Sequence, residues 1–229
     1  MTELYGSAYG AVLFDLDGTL VDTAPDMVAV LQHLQESHGR EPVSYENGRM
    51  QVSNGAIGLL SVGFPDTQIE HGSALHLEFL ELYADSICES STVFPYLSEL
   101  LAALVDMACP WGVVTNKPGS LTLPLMNALG LAERSACIVS GDTLSVRKPD
   151  PAPLLLASDL AGVEAEESIY VGDAGRDIEA GRRAGMATIA AAYGYITEDD
   201  DPREWDANVI ATTPEELAQI VLNAVNLED

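Results

Sequence analysis

Lysine is nearly absent from this chain. It occurs only at Lys117 and Lys148, and Lys plus Arg number 10 against 36 Asp plus Glu, a formal net charge of −26 at pH 7. A field of that sign repels phosphate backbones and anionic lipid headgroups, which argues against nucleic acid and membrane surfaces as partners. Long hydrophobic runs are also missing: none approaches the roughly 18 residues of a membrane span. The first ten residues, MTELYGSAYG, have no basic start, apolar stretch or cleavage site of a secretion signal. Cysteine is scarce too, and Cys88, Cys109 and Cys137 are odd in number with no metal or redox spacing, which favours reduced thiols over disulfides or zinc ligation. The expectation is a cytoplasmic protein, monomeric or homodimeric.

What is present suffices for a large core. Of 229 residues, 47% are hydrophobic, and the length exceeds one modest domain while falling short of two at about 100–200 residues each. One α/β domain carrying an insertion fits. From residue 93 onward short apolar runs alternate with helical patterns, as in a parallel sheet. Strands are expected at 11–13, 111–115, 136–140, 168–172 and 187–191, with helices at about 118–129, 151–162 and 175–184 that stop at Gly130, Gly162 and Gly185. A last helix starts with Thr213 as N-cap, Pro214 at its first position and Glu216 completing a capping box. Residues 23–92 break the rhythm, with helical patterns at about 25–37 and 72–88 and no buried strand, so the expected division is a core of 1–22 and 93–229 and a helical cap of 23–92. The acidic run Glu198-Asp-Asp-Asp201 reads as a solvated loop.

In an open parallel sheet, ligands bind beyond the carboxyl ends of the strands. The first strand delivers Phe-Asp-Leu-Asp-Gly-Thr at 14–19, and with side chains alternating at a period of two, Asp15 and Asp17 are expected on one side of the chain. The strand at 111–115 ends in Thr115-Asn116-Lys117, the next is followed by Gly141-Asp142 and Arg147-Lys148-Pro149-Asp150, and the fourth by Gly172-Asp173-Ala-Gly-Arg176-Asp177. Each piece also has an ordinary reading, as a turn, a cap or a strand exit, and Asp177 equally suits the acid of a helix first turn. Together they place four carboxylates around one point, which calls for Lys148 and a hard divalent cation such as Mg²⁺. Such a site suits phosphoryl transfer. Asp15 would attack phosphorus, Asp17 would protonate the leaving alkoxide and later activate water, Thr115 and Lys148 would hold the transferring oxygens, and Asp173 would anchor the metal.

These stretches resemble the haloacid dehalogenase-like phosphatases. The resemblance rests on the DLDGT box at 15–19, VVTN at 113–116, the lysine of KPDP at 148–151 and GDAGRD at 172–177, and the spacing and insertion are similar to the branch containing phosphoglycolate phosphatases. It implies a Rossmann-like, doubly wound core with a mobile helical cap, Asp15 as nucleophile, Asp17 as general acid/base, and Mg²⁺ held by Asp15, the Asp17 carbonyl and Asp173, with Asp177 a further metal candidate. Ala174 departs from the Ser or Thr of many relatives. Other stretches, Trp111–Pro118, Gly130–Arg134, Tyr193–Ile196 and Pro202–Trp205, are similar to phosphatases acting on N-acetylmuramic acid 6-phosphate. The substrate expected is a small phosphorylated metabolite, 2-phosphoglycolate in the first place, with N-acetylmuramic acid 6-phosphate as the alternative. Its candidate contacts are Gly18, Thr19, Asn116 and Lys117 from the core and, from the cap loop 49–55, Arg49, Ser53 and Asn54, with Arg49 either meeting a substrate carboxylate or simply exposed near a turn. A sugar phosphomutase on the same scaffold and a non-enzymatic binder of a phosphorylated metabolite are the competing functions.

The Lys-poor, acid-rich composition suggests adaptation to salt. Raising KCl from about 0.1 M to about 1 M shortens the Debye length from roughly 10 to 3 Å, so Tm and activity should both rise. Indifference of both to molar salt defeats that reading.

Overall fold

Short apolar runs bounded by Gly, Pro or Asp build the centre of the molecule. The computed structural model describes Leu4, residues 9–197 and residues 199–226; most of 1–8, which the expected core range includes, and Glu198 of the acidic run lie outside the described residues. Along the chain come β1 (Ala11–Phe14), β2 (Val21–Asp22), α1 (Ala24–Ser37), α2 (Tyr45–Arg49), α3 (Gly55–Gly63), α4 (Ala74–Asp85), β3 (Thr92–Val93), α5 (Leu97–Asp106) and β4 (Trp111–Val114). Then follow α6 (Gly119–Ala128), β5 (Cys137–Val139), α7 (Ala152–Ala161), β6 (Ser168–Gly172), α8 (Gly175–Ala184), β7 (Ala187–Ala191), β8 (Val209–Ala211) and α9 (Pro214–Val225).

Six strands form one parallel sheet in the order β5-β4-β1-β6-β7-β8. The chain starts in the middle, winds outward to β5, crosses back over β1 and winds outward again, so the sheet is doubly wound with its switch point at β1. Alternation along the strands feeds two cores. Val12, Phe14, Trp111, Val113, Ile169 and Val171 pack with Leu100, Leu101 and Leu104 of α5 and Leu217 and Val221 of α9. Leu13, Val139 and Tyr170 face the other way, onto Leu154 of α7 and Ala180 of α8. Both faces are covered, as an all-parallel sheet requires.

The insertion holds more helix than its sequence suggests. Two helices and a loop are expected, yet α2 and α3 also form, together with a 3₁₀ turn at Val52–Asn54. Their glycine content hides them, because glycine disfavours helix by roughly 1 kcal/mol per residue. Here the glycines allow close packing instead: a Cβ on Gly48 would lie 2.9 Å from Val28, and one on Gly63 would lie 2.7 Å from Leu31, both on α1. The three-residue edge strand β8 is likewise not apparent in the sequence. At α9, Thr213 Oγ1 accepts from the Glu216 amide (3.1 Å) as expected. Glu216 reaches one residue past the cap, however, and accepts from Thr212 N and Oγ1 at 2.7 Å each, so the box closes on Thr212.

The insertion joins the sheet domain through the two-strand ladder β2-β3. Beside it the buried Asp26 carboxylate accepts from Ser90 N (2.7 Å), Ser91 N (2.9 Å) and Ser91 Oγ (2.6 Å), tying the returning chain to the start of α1. Removing an acceptor of this kind strands buried donors. Asp26→Ala should cost about 2–3 kcal/mol and lower Tm by roughly 5–10 °C in thermal unfolding; a loss below about 0.5 kcal/mol, the level of an ordinary surface change, would remove this anchoring role.

Candidate active site

The carboxyl ends of β1, β4, β5 and β6 converge on one buried lysine. Lys148 Nζ lies 2.9 Å from Asp15 Oδ1 and 2.7 Å from Asp177 Oδ1, and donates to Val114 O (2.9 Å) and to Tyr170 Oη (2.7 Å). Burial alone would lower the pKa of the ammonium, but the Asp15 and Asp177 carboxylates outweigh it and raise the pKa. The loop that carries Lys148 is fixed by Asn116, whose Nδ2 donates to Lys148 O (3.0 Å) while its Oδ1 accepts from Lys148 N (3.1 Å). The Asn116 amide, expected to meet phosphate, is therefore engaged with the backbone. Thr115 Oγ1 accepts from Lys117 N (3.2 Å), and the residue lines the cavity above these groups.

Asp15, Asp173 and Asp177 bring carboxylate oxygens within 4.8 Å of one another. Asp173 accepts from Ser53 Oγ (2.5 Å), Tyr195 N (2.9 Å) and Thr19 Oγ1 (3.3 Å). Even so, burial and then the charges of Asp15 and Asp177 push its pKa up to about 7. Burial also raises Asp177, against the pull of Lys148. At the start of α8, Ala174 N donates to Asp177 Oδ2 (3.1 Å), as suits the acid of a helix first turn, and the same carboxylate belongs to the acidic cluster. Three buried carboxylates with, among the described residues, only Lys148 and the half-buried Arg176 nearby remain under-neutralised, and their all-oxygen donor set fits a hard divalent cation.

The Asp17 side chain stands apart from the acidic cluster, correcting the expectation that it leaves the chain on the same side as Asp15; the metal contact expected of Asp17 is through its backbone carbonyl, not this side chain. The chain turns directly after β1, so Asp17 Oδ1 accepts from Thr23 Oγ1 (2.7 Å) and from Lys117 Nζ (2.9 Å), outside the acidic cluster. Lys117, expected to face phosphate, is held between Asp17 and Tyr83 Oη (3.0 Å) of α4. Burial opposes its charge, but Asp17 and Tyr83 raise its pKa. Each acid thus has its own lysine.

A cavity of about 380 Å³ opens over both acids. Ser53 and Asn54 line it, as expected of the insertion. Arg49 does not: it donates to Gly194 O (3.2 Å) and Tyr193 O (3.3 Å) and lies 4.8 Å over the Tyr195 ring, a bridge to the sheet domain and not a partner for a substrate carboxylate. Gly18 and Thr19 also fall outside the lining and support Asp173 instead. Gly18 has φ +84°, and a Cβ there would come 2.2 Å from Asp173 Oδ2. Sequence reasoning missed His76, Phe79, Leu80 and Tyr83 of α4, all of which line the cavity. Their helical spacing was a visible signal, yet it reads equally as an ordinary core stripe.

Because Asp173 must give up its proton to hold a cation, metal binding is linked to pH. The rise in Tm on adding Mg²⁺ should grow as pH increases toward about 7 and level off above it. A Mg²⁺ effect of constant size from pH 5 to pH 9, measured by thermal unfolding, would count against the cluster as the metal site.

Residues 12–191 match the family model described as haloacid dehalogenase-like hydrolase. The chain is 42% identical over 219 residues to an N-acetylmuramic acid 6-phosphate phosphatase of Pseudomonas aeruginosa, covering 94% of this chain and 96% of that one. It is also 42% identical over 207 residues to a phosphoglycolate phosphatase of Xanthomonas campestris, covering 90% and 94%. The crystal structure of a "predicted phosphoglycolate phosphatase" from Haemophilus somnus 129PT superposes with a TM-score of 0.81 at 25% identity, over 93% of this chain and 98% of that one. The doubly wound sheet, the acids at the tips of β1 and β6 and this end-to-end likeness lead to one conclusion: the chain belongs to the haloacid dehalogenase-like hydrolase family.

Proposed function

We propose that the protein is a Mg²⁺-dependent phosphatase that hydrolyses a phosphate monoester through an aspartyl phosphate on Asp15, and that its substrate is an N-acylated, carboxyl-bearing sugar phosphate of the N-acetylmuramic acid 6-phosphate kind. The observation that carries the reaction is the division of the two acids between two lysines. Asp15 lies against Lys148 and the acidic cluster, where a phosphoryl group would be attacked; Asp17 lies across the cavity, where the leaving oxygen would emerge. Attack by Asp15 splits one hard displacement into two easier ones. Thr23 and Lys117 hold Asp17 in one orientation, from which it protonates the departing alkoxide and then takes a proton from the water that opens the acyl phosphate. The ammonium of Lys148 and the hydroxyl of Thr115 balance the oxygens in transfer. Asp15, Asp173 and Asp177 would hold Mg²⁺, which supplies further charge neutralisation when bound.

The shape of the cavity supports the substrate. Its volume of about 380 Å³ falls in the usual range for ligand pockets of roughly 300–1,000 Å³, and on its insertion side the apolar Met27, Val52, Ile57, Phe79 and Leu80 stand beside Ser53, Asn54, His71, His76 and Tyr83. A two-carbon phosphate would leave most of that wall bare. The relative from Pseudomonas aeruginosa is named for an N-acetylmuramic acid 6-phosphate phosphatase. The second reading, 2-phosphoglycolate, draws on the name of the Xanthomonas relative and on Lys117, a cation near the position of the leaving oxygen. Three free cysteines, two of them buried, suit a reducing cytoplasm.

Parallel turnover of N-acetylmuramic acid 6-phosphate, 2-phosphoglycolate and simple hexose phosphates decides the substrate. The acylated sugar phosphate should have the highest kcat/KM and release inorganic phosphate; a preference for 2-phosphoglycolate establishes the second reading, and an isomerised sugar phosphate without free phosphate establishes a mutase. Asp15→Asn should fold normally and lose at least about 10⁴-fold in kcat; residual turnover near the wild-type level removes the nucleophile.

A further inference from the structure

Helix α4 passes along the cavity like a scale. His76, Phe79, Leu80 and Tyr83 line the cavity, and their spacing of three, one and three residues puts them on a single stripe. One end of the scale is pinned to the chemistry, because Tyr83 Oη touches Lys117 Nζ (3.0 Å), which in turn touches Asp17 (2.9 Å). The other end, His76, is seven residues away, about 10 Å along the axis. Between them the wall is apolar. The far carboxylate of 2-phosphoglycolate lies only roughly 3–4 Å from its ester oxygen, given carbon–carbon bonds of about 1.5 Å. That substrate stops at the Tyr83 end. A hexose phosphate with substituents on its ring reaches the other.

His76 has a defined hydrogen-bonding state. Its Nδ1 accepts from Gly72 N (3.1 Å), so the ring proton of the neutral imidazole sits on Nε2. Burial, and then the charge of the His71 ring at a centroid distance of 5.2 Å, lowers its pKa, in keeping with an Nδ1 that accepts a hydrogen bond. Nε2 has no hydrogen-bond partner among the described residues. A neutral donor at the end of an apolar wall selects an uncharged acceptor, since a carboxylate or phosphate there would lose its water without gaining a counter-charge.

We infer that His76 is a specificity-determining residue: its Nε2–H donates to an uncharged oxygen, the amide carbonyl or a hydroxyl of the sugar, two helical turns from the scissile ester. The assignment rests on the substrate reading proposed above and adds the group that reads it. Phe79 and Leu80 cover the sugar ring and its acyl methyl, while the acid end stays common to long and short substrates. Selectivity for the long substrate therefore resides in the insertion, and it is expressed in binding rather than in the chemical step.

Two substitutions separate this role from a structural one, because the glutamine amide mimics the Nε2 position and the asparagine amide mimics Nδ1. His76→Asn keeps an acceptor for Gly72 and removes the donor to the ligand; His76→Gln does the reverse. For each, kcat/KM is measured on N-acetylmuramic acid 6-phosphate and on 2-phosphoglycolate with the same protein sample, so that any loss of folded protein cancels in the ratio. The expected result is that H76N lowers the long-to-short ratio about tenfold, mainly through KM, the scale of one lost hydrogen bond, whereas H76Q keeps it within about threefold of wild type. A ratio preserved in H76N and lost in H76Q would mean that His76 only ties down Gly72, and would overturn the inference. An unchanged ratio in both, with wild type still preferring the sugar phosphate, would overturn it as well. Wild type preferring 2-phosphoglycolate would sink the substrate reading itself, and the role of His76 with it.

Discussion

Negative charge buried at the strand tips is the constraint from which the rest of this site follows. Three carboxylates within 4.8 Å, all shielded from water, repel one another far more strongly than they would at a surface. Lys148 is the main protein counter-charge, but its three protons face four acceptors: Asp15, Asp177, Tyr170 and the Val114 carbonyl. The pair is therefore never fully satisfied. Asp173, which shares no proton with Lys148, carries the excess, and its carboxyl stays protonated up to about pH 7. Asn116 belongs to the same balance, since it holds by its backbone the lysine that sits between Asp15 at the tip of β1 and Asp177 on α8.

The scarcity of lysine becomes intelligible beside this arrangement. On an acid-rich surface an exposed lysine gains little from any one neighbour, as solvated ion pairs contribute about 0–1 kcal/mol. The two lysines that the chain contains are both buried, each against one of the two acids of the first strand exit. This separates chemically identical groups. Asp15 is drawn toward the cluster at β6, Asp17 toward the insertion through Lys117 and Tyr83, and a cavity wide enough for a phosphoryl group lies between them.

Much of this was legible in the chain. The bounds of β6, β7 and α8 agree to the residue with apolar runs and a stopping Gly185, because buried parallel strands read as unbroken apolar segments and an αL glycine ends a helix unambiguously. The acids and lysines of the site stood out as charge placed at strand ends. Less legible was anything decided by contact between distant segments. Gly48 and Gly63 suggest loops until Val28 and Leu31 are seen packed against them. Arg49 offers a cation to any anion until the carbonyls of Tyr193 and Gly194 are found to hold it. Asn116 is equally suited to a phosphate or a peptide group, and local sequence does not say which arrives. The cavity stripe of α4 has the same period as a core stripe, so its function depends on which surface it faces.

Two kinds of contact join the insertion to the sheet domain, and their difference bears on how a substrate reaches Asp15. At the crossing, Tyr195 Oη accepts from Thr23 N (2.7 Å) and Ala24 N (2.9 Å) and donates to Asp22 Oδ1 (2.7 Å), while Asp26 holds Ser90 and Ser91. Most of these groups are buried, so separating them would strand donors without water, at about 1–3 kcal/mol each. Across the cavity mouth the contacts are Arg49 to the two carbonyls, Ser53 to Asp173 and Arg176 to the Ser53 carbonyl. The donors Arg49, Ser53 and Arg176 are only partly buried and water can satisfy them once apart, so each contact contributes nearer the net 0.5–1.5 kcal/mol of an exchanged hydrogen bond. The weak contacts thus lie at the mouth and the strong ones at the crossing, which is the distribution that lets a cavity open without loosening its attachment. Ser53 donates to the same acid that limits the charge balance of the site, so the contact across the mouth and the acidic cluster share Asp173.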